Sequence, residues 1–287
     1  MPIGKNLIEA LENEIKGTNI KELEKASETL SARYLGENWS LGPNEKFAYA
    51  ICRMPATYAV LERLNLNYGT ILDLGSGPGT ASFVYPSVTT CIEQDPAFIK
   101  LAKNLGANGL WIQSDFRKAK LTPHDAVLFS YSLGEVWPIP MERFWNAAKE
   151  ALIIVEPGTP RGYEIILEAR EKLISLGGYV VAPCPHNNAC PLIRPDWCHF
   201  GVTVPRTALH RRLKKGTLGY EEEKFSYLIV TRKEEEHKAR ILTHPDKHPG
   251  HVKLKLCTEE GLEMRTISRK EGSLYKEIRK KVWGDSI

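Results

Sequence analysis

The stretch Asp73-Leu74-Gly75-Ser76-Gly77-Pro78-Gly79-Thr80 sets the tightest limit on what this chain can fold into. Three glycines at alternate positions follow the apolar run Thr70-Ile71-Leu72-Asp73-Leu74. Glycine lets the backbone turn sharply and approach a bound group closely, and a helix starting there aims free N–H groups at the same place. Such a turn needs a strand before it and a helix after it. The sequence continues in that sense. Strand-like segments at 88–93, 109–113, 125–130 and 151–155 alternate with helix-like segments at 96–105, 140–149 and 161–176. This alternation predicts an α/β domain with a parallel, doubly wound sheet. With 42% apolar and 26% charged residues the composition is that of a globular protein. No apolar run approaches the roughly 18 residues of a transmembrane helix, so no membrane association is expected.

The sheet has flanking segments of different character. Residues 5–35 place Leu7, Ile8, Leu11, Ile15, Leu23 and Leu30 at helical spacing, with Gly17 as a break. Asn44 is a candidate cap for a further helix through Phe47, Tyr49 and Ile51 that resumes after Pro55. Residues 1–66 therefore read as a helical lobe, 67–182 as the α/β core, and 183–287 as a cysteine-bearing segment with late strands at 225–231 and 251–257. The charged, His- and Pro-containing stretch 232–250 reads as an exposed connection. The N-terminus lacks an apolar signal region and is neither Arg-rich nor acid-poor, which leads to the expectation of a cytoplasmic protein.

The turn spacing is G-x-G-x-G rather than the G-x-G-x-x-G of dinucleotide sites. With Asp73 two residues ahead of Gly75, it resembles motif I of the class I S-adenosylmethionine-dependent methyltransferases, whose Rossmann-like fold is expected here. Asp73, Gly75, Gly77 and Gly79 are then cofactor-binding candidates. Glu93, ending the second strand, is placed to accept two ribose hydroxyls, since a carboxylate takes two donors side by side. Ser114 and Asp115, after the third strand, stand where that family contacts the adenine amino group. A domain that keeps the same turns for folding alone would carry the same glycines. After the fourth strand, Ser130-Tyr131-Ser132-Leu133-Gly134-Glu135-Val136-Trp137 lacks the Asn-Pro-Pro-Tyr type of motif that orients an amine for methylation. Tyr131 and Glu135 are the polar candidates beside a transferring methyl, and proximity alone can drive such a transfer.

Three of six cysteines, Cys184, Cys190 and Cys198, fall within fifteen residues, and Cys257 follows at the end of a late strand. Outside an oxidising compartment such a cluster favours metal over disulfides. Gaps of five and seven residues match neither the C-x₂₋₄-C pairs of zinc fingers nor the C-x₂-C runs of ferredoxins. Spacing alone leaves zinc, an iron–sulfur cluster and no metal level. His186 and His199 are candidate completing ligands for zinc, or loop histidines bonded to backbone.

Further residues carry a resemblance to one family. Ala48-Tyr49-Ala50 and Arg53-Met54-Pro55-Ala56-Thr57-Tyr58 precede the glycine turn, and Glu156-Pro157-Gly158-Thr159-Pro160 follows the fifth strand. Then come Pro183-Cys184-Pro185-His186, Cys190-Pro191-Leu192, Asp196-Trp197-Cys198-His199-Phe200, Cys257 and Trp283-Gly284-Asp285. Together they resemble the methyltransferase-like assembly factors of the mitochondrial small ribosomal subunit and their bacterial and archaeal relatives. The resemblance implies that Cys184, Cys190, Cys198 and Cys257 hold a [4Fe–4S] cluster. It also implies that the chain retains an S-adenosylmethionine-binding fold and that its partner is small-subunit rRNA or the small subunit itself. The character of the N-terminus leads to the expectation of a prokaryotic, cytoplasmic member. Residues 201–287 carry 20 Lys+Arg against 13 Asp+Glu, a balance of +7, and residues 1–200 carry 19 against 22, a balance of −3. The basic third suits a polyanion. Three functions fit: an rRNA methyltransferase, a non-catalytic RNA-binding assembly factor on the same scaffold, and a methyltransferase for protein or small molecules.

Overall fold

The computed structural model describes residues 5–33, 41–235 and 238–287. The parts of the expected helical lobe at 1–4 and 34–40, and residues 236 and 237 of the expected connection, lie outside the described residues. Four helices come first: α1 (Lys5–Glu14), α2 (Ile20–Arg33), α3 (Pro43–Cys52) and α4 (Met54–Leu64). Strands and helices then alternate through β1 (Ile71–Leu74), α5 (Thr80–Val84), β2 (Val88–Glu93), α6 (Pro96–Leu105), β3 (Leu110–Gln113), β4 (His124–Ser130), α7 (Glu142–Ala147), β5 (Ala148–Pro157) and α8 (Pro160–Ser175). The remainder is mostly strand: β6 (Tyr179–Ala182), β7 (Phe200–Pro205), the short α9 (Ala208–Leu213), β8 (Tyr220–Thr231), β9 (Arg240–Ile241), β10 (Asp246–His248), β11 (His251–Thr258) and β12 (Gly261–Ser268), closed by α10 (Ser273–Ile278).

These elements form two compact units. The first comprises residues 1–121 and 202–223. Its strands are ordered β3-β2-β1 and all parallel. Leu7 and Leu11 of α1 are buried with Ala50, Met54, Leu101 and Leu105, which ties the N-terminal helix to α3, α4 and α6. Helix α3 starts earlier than the Asn44 cap expected above. Pro43, whose fixed φ suits the first helical position, stands at N1, and the Gly42 N–H donates to Glu45 Oε2 at 2.7 Å. Asn44 instead donates to Glu22 Oε2 of α2 at 3.0 Å. The expected single helix is broken in two at Arg53, because Pro55 has no N–H to give to the preceding turn.

Residues 202–223 return to these N-terminal helices. Leu213 of α9 is buried with Ile15, Leu23, Ile51 and Cys52. Glu223 accepts both terminal nitrogens of Arg53 at 3.2 and 3.4 Å. Its neighbour Glu221 gathers two cations, Arg206 at 2.6 Å and Lys214 at 2.9 Å, and the buried imidazole of His210 at 3.3 Å. Burial alone would raise the Glu221 carboxyl, but the bonds from His210, Arg206 and Lys214 outweigh it and hold the group well below the usual carboxylate range.

The second unit comprises residues 122–201 and 224–287. Its main sheet is mixed: β4 and β5 run parallel, and β8 runs antiparallel to both β5 and β6. Gly158 lets this packing close, since a Cβ there would stand 2.6 Å from the Lys224 backbone, and its N–H donates to the Lys224 carbonyl at 2.8 Å. Thr159 then caps α8 through Gly162 N, with Pro160 in the first turn. A smaller sheet sets β11 between β10, β12 and β9 over a core of Ile241, Val252, Leu254, Leu256, Ile267, Tyr275 and Ile278. Two of its strands, β9 and β10, fall inside the 232–250 stretch read above as an exposed connection. They are two and three residues long and exist through pairing to β11, which local sequence does not announce.

Because Glu221 is depressed in the folded state, its contribution is present above about pH 4.3, the unfolded value, and is lost as pH falls toward the folded one. Glu221→Gln is expected to lower the urea-unfolding free energy by about 2 kcal/mol at pH 7 and by less at pH 3. An equal loss at both pH values would show that its charge is not the cause.

Candidate functional site

The glycine turn lies in the first unit, between β1 and α5. Gly75, Gly77 and Gly79 all take positive φ, at 71°, 53° and 78°. The turn is fixed from below by Gly75 N and Ser76 N, which donate to the Ile92 carbonyl at 2.9 and 3.2 Å. Helix α5 after it is only five residues long. Tyr85 precedes Pro86 and takes an extended conformation that ends the helix.

Glu93 stands beneath the turn at the end of β2. One carboxylate oxygen accepts Gly77 N at 2.8 Å and the other accepts Asp95 N at 2.8 Å. Burial pushes this carboxyl up, and those backbone bonds offset part of the shift. The residue expected to take ribose hydroxyls therefore braces the turn first, and each oxygen keeps a second lone pair. Asp73 in β1 is 2% exposed, and its Oδ1 has no hydrogen-bond partner. Burial raises its carboxyl to about 7. Ser114 is positioned by its N–H on the Glu93 carbonyl at 3.0 Å. Asp115 is held by Arg117, with a shortest contact of 2.7 Å, and this bond keeps its carboxyl below the usual range.

Two glycines of the turn meet different surroundings. A Cβ on Gly79 would stand 3.0 Å from Ala107 Cβ and from the Trp111 ring, whereas a Cβ on Gly77 would meet nothing within 4 Å. Gly77 thus faces open space beside the turn. Gly79→Ala is expected to lose about 2–3 kcal/mol from strain plus overlap. Gly77→Ala should lose only the left-handed strain of about 1 kcal/mol. Urea denaturation of the two variants checks the order.

The remaining candidates are in the second unit. Tyr131, just after β4, has φ 59° and donates its N–H to the Val155 carbonyl at 2.8 Å. Glu135 is exposed. Beneath that loop lies a carboxyl that the sequence reading used only as part of a motif. Glu156 is 3% exposed and accepts the Gly134 N–H at 2.9 Å. Burial raises it to about 8. Its contribution is most favourable below the unfolded value near pH 4.3 and is lost as pH rises through the folded one. Glu156→Gln mimics the protonated acid. It is expected to gain on the parent by up to about 1.4 kcal/mol per pH unit between pH 5 and 8; parallel stability curves would refute this.

All six cysteines are free thiols. Cys184 and Cys190 sit in the loop between β6 and β7, Cys198 at its end, and Cys257 on β11. Together they line one small cavity, partly open to solvent, with Tyr163, Arg170 and Arg240 among the other walls. Among the described residues no three His, Cys, Asp or Glu side chains gather closely enough to hold a metal ion. The expected metal-binding insertion is therefore not shown. The four thiols surround a space rather than a point. His186 Nε2 is 3.8 Å from Cys257 Sγ, and His199 Nδ1 is 3.2 Å from the Trp197 carbonyl. Burial raises the thiols of Cys184 and Cys198, and that of Cys257 to about 12.

The loop bearing these cysteines has little regular structure and is held by side chains. Arg170 of α8 donates to the carbonyls of His186 and Asn188 at 2.8 and 2.7 Å. Arg240 of β9 donates to the Pro183 carbonyl at 2.9 Å. Asn187 Oδ1 accepts Val180 N at 2.9 Å, and Ser226 donates to the Cys198 carbonyl at 2.7 Å. Neither arginine was singled out from sequence. Arg170 leaves a signal there, as a charge inside the buried stripe Ile166, Ala169 and Leu173.

Comparison with known proteins follows the same outline. The family model described as mitochondrial small ribosomal subunit Rsm22 matches residues 43–287. The human ribosome assembly protein METTL17, mitochondrial, is 28% identical over 76% of this chain and 55% of its own. Ribosome assembly protein RSM22, mitochondrial, of Saccharomyces cerevisiae is 24% identical over 56% of this chain and 44% of its own. The chain spans about half the length of these curated relatives. A TehB-like SAM-dependent methyltransferase from Corynebacterium glutamicum overlaps 72% of this chain and 98% of its own at 16% identity, with a TM-score of 0.41. That likeness fixes neither ligand nor reaction. The expectation of a cytoplasmic location is overturned by the family description and the names of these relatives, all of which are mitochondrial.

Proposed function

The chain belongs to the family described as mitochondrial small ribosomal subunit Rsm22, and on that premise we propose that it is an S-adenosylmethionine-dependent, methyltransferase-like factor that acts on small-subunit rRNA during ribosome assembly. The observation that carries the methyl-donor half is the braced turn: three left-handed glycines, open space at Gly77, and a buried acceptor at Asp73 Oδ1 with no partner. An ammonium group suits that acceptor, and hydroxyls suit the remaining lone pairs of Glu93. Ser114 and Asp115 complete the proposed donor site, Asp115 with its charge preset by Arg117. S-adenosylmethionine, when bound, supplies an electrophilic methyl group. Tyr131 and Glu135 remain candidates for orienting the acceptor. The absence of the Asn-Pro-Pro-Tyr type of motif at 130–137 favours the second reading, a non-catalytic RNA-binding factor on the same scaffold.

We further propose that Cys184, Cys190, Cys198 and Cys257 hold a [4Fe–4S] cluster. Four thiols around one cavity suit a group larger than a single ion. The partner reading draws on the small sheet and α10, where Lys247, Lys253, Arg265, Arg269, Lys276 and Arg279 are exposed. Such a surface attracts phosphates.

The test is anaerobic incubation of the purified protein with labelled S-adenosylmethionine and small ribosomal subunits. Label is expected in rRNA, and Glu93→Ala is expected to abolish it together with calorimetric binding of the donor. Donor binding without label would leave the non-catalytic factor, and no donor binding would end the methyl-donor reading. The same preparation should be brown, with iron and acid-labile sulfide in the ratio of a [4Fe–4S] cluster. Colourless protein with stoichiometric zinc would replace the cluster.

A further inference from the structure

The cavity lined by the four thiols is also lined by two guanidinium groups, Arg170 and Arg240. Arg170 is 3% exposed, its Nε has no hydrogen-bond partner, and its Nη2 donates to two backbone carbonyls. Arg240 is half-buried and donates to the carbonyls of Pro183 and Gly284, both at 2.9 Å. Among the described residues no carboxylate lies within ion-pair range of either. Arginine cannot shed its charge, and a buried charge without a counter-ion is costly. Carbonyl oxygens solvate a guanidinium but do not neutralise it. Among the described residues, the ionisable acids on the same walls are the four thiols and the phenols of Tyr163 and Tyr227, and the Tyr163 hydroxyl is 3.2 Å from Cys190 Sγ. Arg240 is moreover the cross-strand partner of Cys257 in the β9–β11 ladder. The charge deficit and the four sulfurs therefore belong to one cavity.

We infer that Arg170 and Arg240 are the counter-charges of the group held by the four cysteines and set its reduction potential. This rests on the cluster reading above. A [4Fe–4S] centre on four thiolates in its oxidised form carries two negative charges in total, and the two arginines match them. One-electron reduction by an external donor adds a third negative charge in an apolar space, which a nearby cation stabilises. Removing one arginine disfavours the reduced form.

The experiment is a mediated redox titration with dithionite of the anaerobically purified, intact protein, followed by electron paramagnetic resonance. The proteins compared are the parent, Arg240→Gln, Arg240→Lys and Arg170→Lys. At the potential that half-reduces the parent, the reduced-to-oxidised ratio of Arg240→Gln is expected to fall at least tenfold, or 59 mV for a one-electron couple. The two lysine variants should stay within threefold of the parent. A brown Arg240→Gln protein with an unchanged ratio overturns the inference while leaving the cluster in place. If Arg240→Gln loses iron, retention by Arg240→Lys supports the charge role. Equal loss from both overturns it, because the bonds to Pro183 and Gly284 would then be the cause. A colourless parent removes the cluster reading itself, and the inference with it.

Discussion

The cysteine-bearing half of this molecule depends on one guanidinium. Arg170 lies in the apolar face of α8, where a charge is costly, and spends its hydrogen bonds on the carbonyls of His186 and Asn188. Residues 183–199 contain no helix or strand to satisfy their own backbone. A segment of that kind adopts a single shape only when outside groups take up its carbonyls and N–H groups. Arg170, Arg240 and Ser226 do so here, taking up the carbonyls of Pro183, His186, Asn188 and Cys198, while Asn187 within the segment reaches out to Val180 N. The convergence of the thiols is thus a product of α8 and the small sheet more than of the loop itself.

The glycine turn follows the same economy with opposite charge. Glu93 spends one lone pair on each of two backbone N–H groups before any ligand is considered. Carboxylates that accept backbone donors in a buried site are strongly oriented. The acid at the end of β2 therefore serves as structural support and ligand candidate together, and the turn does not need a long following helix to hold its shape.

Much of this was legible. The 3.6-residue and alternating patterns located α6, α8 and β1 to β5, since those elements are long or bounded by Gly and Pro. The ordered set of Asp73, the three glycines, Glu93 and Asp115 located the turn and its surroundings. Other features were not legible, for physical reasons. Strands β9 and β10 are too short to carry a period and exist only by pairing with β11. Pro43 displaced the cap expected at Asn44. Glu156 reads as one more charged residue until burial under Gly134 makes it a neutral acid near pH 7. Arg170 shows as a flaw in an apolar stripe, and only the folded loop explains it. Spacing placed four cysteines in sequence; whether they met was a question of tertiary structure. Cellular location rested on the character of the first residues and was read wrongly.

The pairing of Arg240 with Cys257 ties the chemistry of the cavity to a single strand register. Slippage by one residue would turn Cys257 to the opposite face of the sheet and leave three thiols behind. The fourth thiol also lies 59 residues beyond the third, past β7, α9, β8, β9 and β10. As the chain leaves the ribosome that makes it, three sulfurs emerge well before the one that completes the set. The cavity walled by the four thiols is complete only once β11 has emerged and found its neighbour, which makes the pairing of that late strand the step that closes the cavity.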